Sequence, residues 1–510
     1  MTAADGVMPA PPPPPEPDWH RLDARMMAVK PVTEAAGLLL PVILVMFVGG
    51  LSPWKLWGAA AVAAALVLSG LFRWLTTSYR ISETHVQLHS GLLVRKERSV
   101  PRDRLRTVDV TSDLIHRVFG LSIVKVGTGR NDGAGSEDEL TLDAVSAAEA
   151  ERLRQVLLRR APARETAPDE ERPAGGNPPL AALDHRWLRY APLTLSGLVA
   201  VGAMTGGAFQ LLQQLDIDPR HFGPLEEAVR WAAETALPVV VGAVVLVLLA
   251  LVIGGAFVIY VVQYWHFRLT REDDGTLRVR RGLLTTRSVS IEEQRLRGVS
   301  LSEPLLLRAG GGARCGAVGT GLGTGEGSEL LLPPAPLSEA HRVAGEVLRC
   351  DPPPTTTSLR RHPAAARQRR LIRALVPSLV VAVVLAAGAW IGWLPHWPWL
   401  VAVVAVPFFA WLGLDRYRNL GHALTSRYVV SRGGSLLRTT VALQRTGVIG
   451  WRIRQSFFQR LAGLATIGAV TAAGEGVYEV LDVDLGDGLA LADAAVPDLL
   501  APFLETPEPG

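Results

Sequence analysis

Arg102, Arg104 and Arg106 stand at alternate positions and have the spacing to grip an anion. A strand would put all three on one face, because its side chains alternate with a period of two. Beside a membrane, each such charge contributes about 1 kcal/mol of attraction to an anionic lipid headgroup. The pattern returns as Arg295 and Arg297, and is echoed at Arg445. The competing reading is solvated positive charge, or ion pairs with Asp103, Glu292 and Glu293. Recurrence does not separate the two, since a repeat keeps structural charges as well.

Other chemistries fail on their spacing. Gly319 to Gly327 is glycine-rich, but a phosphate loop must lead into a helix with Lys-Ser/Thr following. Here Ser328-Glu329-Leu330-Leu331-Leu332 follows and reads as a strand. In Asp482-Val483-Asp484-Leu485-Gly486-Asp487-Gly488, a calcium loop would need a ligand where Gly486 stands and a glycine where Asp487 stands. Asp487-Gly488 reads instead as a β-hairpin turn. His85 and His89 lack the glutamate of a zinc-binding helix. Cys315 and Cys350 match no zinc spacing and make no disulfide framework, so they read as small buried or surface thiols. No catalytic, cofactor-binding or metal-binding residue is assigned, and no enzymatic activity is expected.

The arginines sit inside a unit that the chain states three times. Tyr79–Gly129 recurs from Phe267 and, more diverged, from His422. Gly91-Leu92-Leu93 returns as Gly282-Leu283-Leu284 and as Leu436-Leu437 after Gly434. Arg117 and Gly120 return at Arg308 and Gly311, then at Arg460 and Gly463. Short apolar runs bounded by Gly, Ser, Asp and Arg make each copy β-rich, including Tyr79–Ile81, His85–Leu88, Leu92–Val94, Thr107–Val110 and Ile123–Val126. A helix closes each copy. Ser146 caps the first, Ser338 the second, and the third starts near Asp493.

Each copy follows a pair of apolar runs. With 48% hydrophobic residues in 510, the composition points to a membrane protein. The net charge of +4 gives no reason to expect nucleic acid as a partner. A spanning helix needs roughly 20 apolar residues. Ala35–Leu51 with Gly58–Phe72, Tyr190–Leu212 with Leu237–Val262, and Ala374–Trp393 with Trp399–Leu412 read as six spans in three hairpins. Basic residues crowd the outer ends of the hairpins and are sparse in their connectors. The positive-inside rule then puts both termini and all three repeats in the cytoplasm of a multi-pass plasma-membrane protein.

The expected organisation is a Pro-rich tail and interfacial segment over residues 1–30, with Trp19, Leu22 and Met26 on one face of a short helix that either lies at the membrane surface or forms the first turns of a spanning helix. Hairpins cover 31–75, 186–266 and 371–414, β-rich domains cover 76–160, 267–350 and 415–510, and flexible linkers cover 161–185 and 351–370.

This plan resembles the bacterial pleckstrin-homology-like membrane proteins of the YdbT type. The resemblance rests on the strand Tyr79-Arg80-Ile81-Ser82, its partner Gly91-Leu92-Leu93, the segment Asp113 to Leu121 and the closing helix. It implies PH-like domains, each a partly open seven-stranded barrel closed by a C-terminal helix, with no enzymatic activity and no cofactor. Gly310-Gly311-Gly312 departs from Phe119-Gly120-Leu121 and is expected to weaken the second core. The expected role is a non-enzymatic membrane scaffold. It would present its domains to an unidentified protein partner or to anionic headgroups, with Arg102, Arg104, Arg106, Arg295 and Arg297 as contacts. The alternative is a transporter or envelope-maintenance component handling lipids or amphipathic peptides. Against transport stands the lack of Asp, Glu, Lys, Arg or His in any span core.

Overall fold

A computed structural model describes residues 19–26, 29, 53–82, 85–91, 96–101, 107–127, 140–158, 178–194, 196–214, 223–320 and 329–500. The chain divides into two compact units, residues 1–128 with 134–162 and residues 129–133 with 163–510.

In the first unit, β1 (His20–Arg21) precedes α1 (Pro53–Thr76), which runs straight into an antiparallel trio. That trio is β2 (Ser78–Ile81), β3 (His85–Ser90) and β4 (Lys96–Pro101). A second trio follows, made of β5 (Thr107–Ser112), β6 (Leu121–Gly127) and β7 (Leu140–Ser146), with the one-turn helix α2 (Leu114–Val118) inside it. Helix α3 (Ala147–Leu158) closes the domain. Its cap is at Ser146, whose hydroxyl accepts from the Glu149 amide at 3.2 Å. The expected interfacial helix is corrected: His20 and Arg21 pair with β2, and Leu22, Met26 and Val29 are buried in this domain's core. Trp74 secures the segment by donating to the Leu22 carbonyl at 2.9 Å. Ala35–Leu51 and Leu92–Val94 lie outside the described residues.

The second unit carries two domains. β8 (Ala181–Ala182) and a 3-10 helix over His185–Leu193 lead to α4 (Ser196–Gln214), α5 (Gly223–Glu234) and α6 (Leu237–Tyr264). The second domain has the trio β9 (Arg268–Arg271), β10 (Thr276–Arg281) and β11 (Thr286–Glu292). It continues with β12 (Leu296–Pro304), α7 (Leu305–Ala309), β13 (Gly312–Gly319), β14 (Leu330–Pro336) and the closing helix α8 (Leu337–Leu348). Helices α9 (Ala364–Trp390) and α10 (Trp397–Arg418) then pack together. The third domain repeats the order with β15 (Gly421–Leu424), β16 (Tyr428–Gly433), β17 (Leu437–Gln444), β18 (Val448–Arg454), α11 (Phe457–Leu461), β19 (Leu464–Thr471), β20 (Val477–Asp484) and α12 (Leu485–Ala495).

Three helices among the described residues are long and apolar enough to cross a membrane: α6, α9 and α10. The sequence pattern counted six. The run from Tyr190 is interrupted by the 3-10 turn around Pro192, leaving α4 with a shorter apolar stretch over Ser196–Gly207. Small residues let α4 and α6 touch, since a Cβ on Gly197 would meet the Val252 carbonyl oxygen at 2.0 Å.

Among the described residues the strand pairings do not close the expected seven-stranded barrels. Each domain holds two antiparallel trios, and in the second unit a trio pairs outside its own domain. β12 runs antiparallel to β17 from Gly298–Leu443 to Pro304–Leu437, giving one six-stranded sheet shared by two domains. Arg438 and Glu303 form an ion pair across that seam. The backbone donors of β12 that would close a barrel are satisfied by the neighbouring copy instead.

Three further expectations change. Gly310 and Gly312 do not weaken the second core, because they admit Leu193 and Tyr190; a Cβ there would meet those side chains at 2.3 and 2.7 Å. Ser338 lies inside α8, whose N-cap is Pro336. The last helix among the described residues starts at Leu485, capped by the Asp484 carboxylate, which accepts from the Gly486 and Asp487 amides at 3.0 and 3.3 Å. Asp487-Gly488 is therefore first-turn helix and no hairpin turn.

The stretch after α8, expected to be a flexible linker, is packed. Thr355 and His362 are buried, and Arg360 bridges to His422. His362 Nδ1 lies 3.1 Å from the Asp482 carbonyl, which can only accept, so Nδ1 carries the proton. Its Nε2 then accepts from His422 Nδ1–H at 3.1 Å, and both rings are neutral. Burial first, then the neighbouring His362 and Arg360, pushes His422 down to about 4, and burial lowers His362 too. Unfolded histidine titrates near 6.5. The unfolded chain therefore binds protons below about pH 6.5 that the fold refuses. Stability should fall as pH drops from about 6.5 toward 4, by up to about 1.4 kcal/mol per unit for His422, with His362 acting in the same direction. Thermal unfolding of the detergent-solubilised chain between pH 7.5 and 5 checks this. His422→Asn should flatten the dependence, and an unchanged slope would remove the pair as its source.

A candidate functional site in the second domain

Strand parity delivers two arginines to one place. In β10, Leu277 and Val279 are buried while Arg278 and Arg280 turn outward. Arg281 shares the parity of the buried pair. In β11, Arg287 shares the parity of buried Val289 and Ile291. The register sets Arg281 directly opposite Arg287. Like charges directly opposite one another weaken a strand pair by up to about 1 kcal/mol.

The hairpin that carries them is fixed to α6, a helix long and apolar enough to cross a membrane. Gly282 donates its amide to the Trp265 carbonyl at 2.8 Å, and Leu283 to the Val262 carbonyl at 2.9 Å, both at the end of α6. Gly282 has φ +110, and a Cβ there would meet the Thr285 oxygen at 1.9 Å, so this turn requires glycine. Gly91 and Gly434 hold the same left-handed position in the other copies. The recurrent glycine of the landmark is thus a turn residue.

A third arginine arrives from the other trio. Ser302 faces Arg314 and Ser300 faces Gly316 across β12–β13. This face is opposite in parity to buried Val299, Leu301 and Cys315. Arg281, Arg287, Ser300, Ser302, Arg314 and Gly316 line a cavity of about 820 Å³, bounded by Thr194 and Ser196 before and at the start of α4, by Tyr260, Gln263 and Tyr264 of α6, and by Glu329 and Leu330. That volume falls in the ordinary range of ligand pockets, about 300–1,000 Å³. Arg281 stacks its guanidinium 5.6 Å from the Tyr264 ring centre. Arg314 Nε is buried with no hydrogen-bond partner, a donor with unused capacity.

The remaining lining tunes this basic character. Burial, then the Glu475 charge, holds Glu329 above the usual carboxylate range. Its repulsion toward an anion is therefore lost sooner as pH falls. Burial pushes the Cys315 thiol up to about 12, so it is no nucleophile at neutral pH. The cavity offers fixed cations, hydroxyls and aromatic rings, the equipment for holding an anion. Among the described residues no group of three His, Cys, Asp or Glu could hold a metal ion.

The site belongs to the second domain alone among the described copies. At the Arg281–Arg287 pair, the first domain has Ser90 opposite Lys96 and the third has Gly433 opposite Thr439. Of the arginines singled out by sequence, Arg102, Arg104 and Arg106 lie outside the described residues. Arg295 is in a 3-10 turn and pairs with Glu292 at 2.7 Å, and Arg297 lies against Gly447 of the third domain. Neither lines the cavity. Arg281, Arg287 and Arg314 escaped sequence reading because three arginines spread over three strands carry no linear spacing.

The profile of the family described as Bacterial PH domain matches residues 35–161, 232–349 and 371–494. The chain belongs to the bacterial PH domain family. Each match takes in apolar sequence ahead of a β domain as well as its closing helix, so the repeat of this bacterial PH protein includes its membrane helices. The chain is also similar to the UPF0699 transmembrane protein YdbT of Bacillus subtilis (strain 168), with 24% identity over 463 residues, 88% of this chain and 91% of the relative. No solved structure matches. Neither description names a catalytic activity. With three apolar helices of spanning length, the bacterial PH protein is a membrane protein.

Proposed function

We propose that the chain is a non-enzymatic, multi-pass membrane scaffold whose second domain holds an anionic lipid headgroup in the Arg281–Arg287–Arg314 cavity. Six spans in three hairpins, with both termini cytoplasmic, would keep three PH-like domains at one membrane surface. A protein partner could bind across them, with weak contacts adding through high effective concentration. The observation that carries the reading is the opposed Arg281–Arg287 pair, joined by Arg314, at the end of spanning helix α6.

The test is retention of phosphatidylglycerol by the full chain in native mass spectrometry, against phosphatidylcholine. A charge-assisted hydrogen bond contributes about 1.5–3 kcal/mol. Replacing all three arginines with glutamine should therefore lower phosphatidylglycerol retention at least about tenfold. Equal retention by the variant, or equal retention of phosphatidylcholine by the native chain, would sink the proposal. The same assay with Arg102, Arg104, Arg106, Arg295 and Arg297 changed to glutamine tests their proposed part in headgroup contact. The second reading, a component that handles lipids or amphipathic peptides, draws on the cavity's place against the ends of α4 and α6. Chain-dependent transfer of labelled lipid between vesicles would favour it over a scaffold.

A further inference from the structure

Large apolar side chains are exposed on α11: Phe457 is 69%, Phe458 70% and Leu461 73% accessible. Buried Gln459 fixes the helix between them, bonding Thr466 and Asp482 at 3.0 and 2.8 Å. A soluble surface seldom groups such residues without an occupant. Leu436 and Leu437 at the β16–β17 tip of the same domain are also more than half exposed.

Two sets of hydrogen bonds place these groups against the spanning helices. Asp415 is the first charge after the apolar run of α10 and sets the limit of its uncharged stretch. It accepts from Ser435 at the hairpin tip at 2.6 Å, and from Arg308 of α7 at 2.9 Å. The Leu305 amide of α7 donates to the Leu436 carbonyl at 2.7 Å, tying the same tip down again. On the other helix, Arg369 reaches Ser456, the N-cap of α11, at 3.4 Å. Arg369 precedes Arg373, the last charge before the apolar run of α9, by one helical turn, about 5–6 Å. Exposed Arg452, Arg454 and Arg460 accompany the apolar group. Basic residues around an apolar face are the composition that lies in a membrane interface.

We propose that α11 and the β16–β17 tip are seated in the interfacial layer of the bilayer that α9 and α10 cross. Phe457, Phe458, Leu461, Leu436 and Leu437 enter the boundary between headgroups and acyl chains, and the arginines remain at the phosphates. The third domain is then held by lipid as well as by its helices. This stands on observations separate from the headgroup cavity.

The experiment uses the full chain in nanodiscs of phosphatidylglycerol and phosphatidylethanolamine, with Cys315→Ser and Cys350→Ser and one nitroxide label per variant. Labels go at Phe458→Cys and Leu437→Cys. A third at Ser426→Cys, in the turn at the opposite end of β16, serves as the water-exposed reference. The first two should collide with oxygen several-fold more than with a water-soluble nickel chelate, and the reference should show the reverse. Either label being as accessible to nickel as Ser426→Cys would overturn the proposal. Exclusion of both reagents would overturn it too, because a protein would then cover the face. Replacing the cavity arginines should leave these collision ratios unchanged, which separates this result from the headgroup test.

Discussion

Asp482→Ala is expected to destabilise the third domain by about 3–5 kcal/mol, the cost of stripping one side from a buried ion cluster. Asp482 is wholly buried. It pairs with Arg369, accepts from Arg370 Nε at 2.6 Å, and accepts from Gln459 at 2.8 Å. Both arginines belong to the first turns of α9, so the cluster fastens that long apolar helix to β20. Removing the carboxylate leaves two guanidinium groups facing each other in a poorly hydrated site. Alanine also loses on the backbone, since residue 482 has φ +54, a conformation that Asp and Asn tolerate better. Asp482→Asn should therefore cost less, keeping the turn and losing only the charge. In thermal unfolding of the detergent-solubilised chain, the alanine variant should melt about 10 °C lower or more. Amide exchange should quicken around Arg369 to Ala374. The exposed Arg452–Glu479 pair, 2.6 Å apart, is the control, and Arg452→Ala should cost no more than about 1 kcal/mol. An Asp482→Ala chain that melts like the native one would mean that both arginines reach water.

That cluster also shows where sequence reasoning could and could not go. The repeat, the strands and the glycine tips were legible because they depend on local periodicity and on turn chemistry. In the sequence Asp482 belongs to an acidic run with glycines that partly matches a calcium loop. Its partners Arg369 and Arg370 are more than a hundred positions away, and a linear pattern cannot bring them together. The start of α12 was hidden for a related reason. Gly486 and Gly488 lower helix propensity, yet a Cβ at Gly488 would meet Ile467 and Val483 at 2.7 and 2.8 Å. Tertiary packing demands glycine where local preference reads a turn. The cavity is the extreme case: Arg281 and Arg287 look like ordinary surface charge until the register sets them face to face.

The seam between the second and third domains supplies the other large expected effect. Gly298 follows a bulge in β12, and a Cβ there would lie 2.1 Å from the Ala442 carbonyl oxygen of β17. Backbone cannot yield as a side-chain tip can, so Gly298→Ala must push the strands apart at the first rung of their ladder. Overpacking of this kind costs about 1–3 kcal/mol, or more where the surroundings are rigid. Gly450 is the same residue one repeat later, after the same bulge in β18. Among the described residues β18 has no strand on its other side, and a Cβ at Gly450 would meet only Val470, at 3.9 Å. There Gly→Ala should stabilise by about 0.4–1 kcal/mol, because it restricts the unfolded chain without strain in the fold. The two substitutions should thus move the melting midpoint in opposite directions. Gly298→Ala should also speed amide exchange from Arg438 to Leu443, while Gly450→Ala leaves it alone. Equal losses at both sites would show that the bulge itself needs glycine. Opposite signs would show that glycine at 298 is required by the neighbouring copy, and that the shared sheet joins the two domains into one mechanical piece.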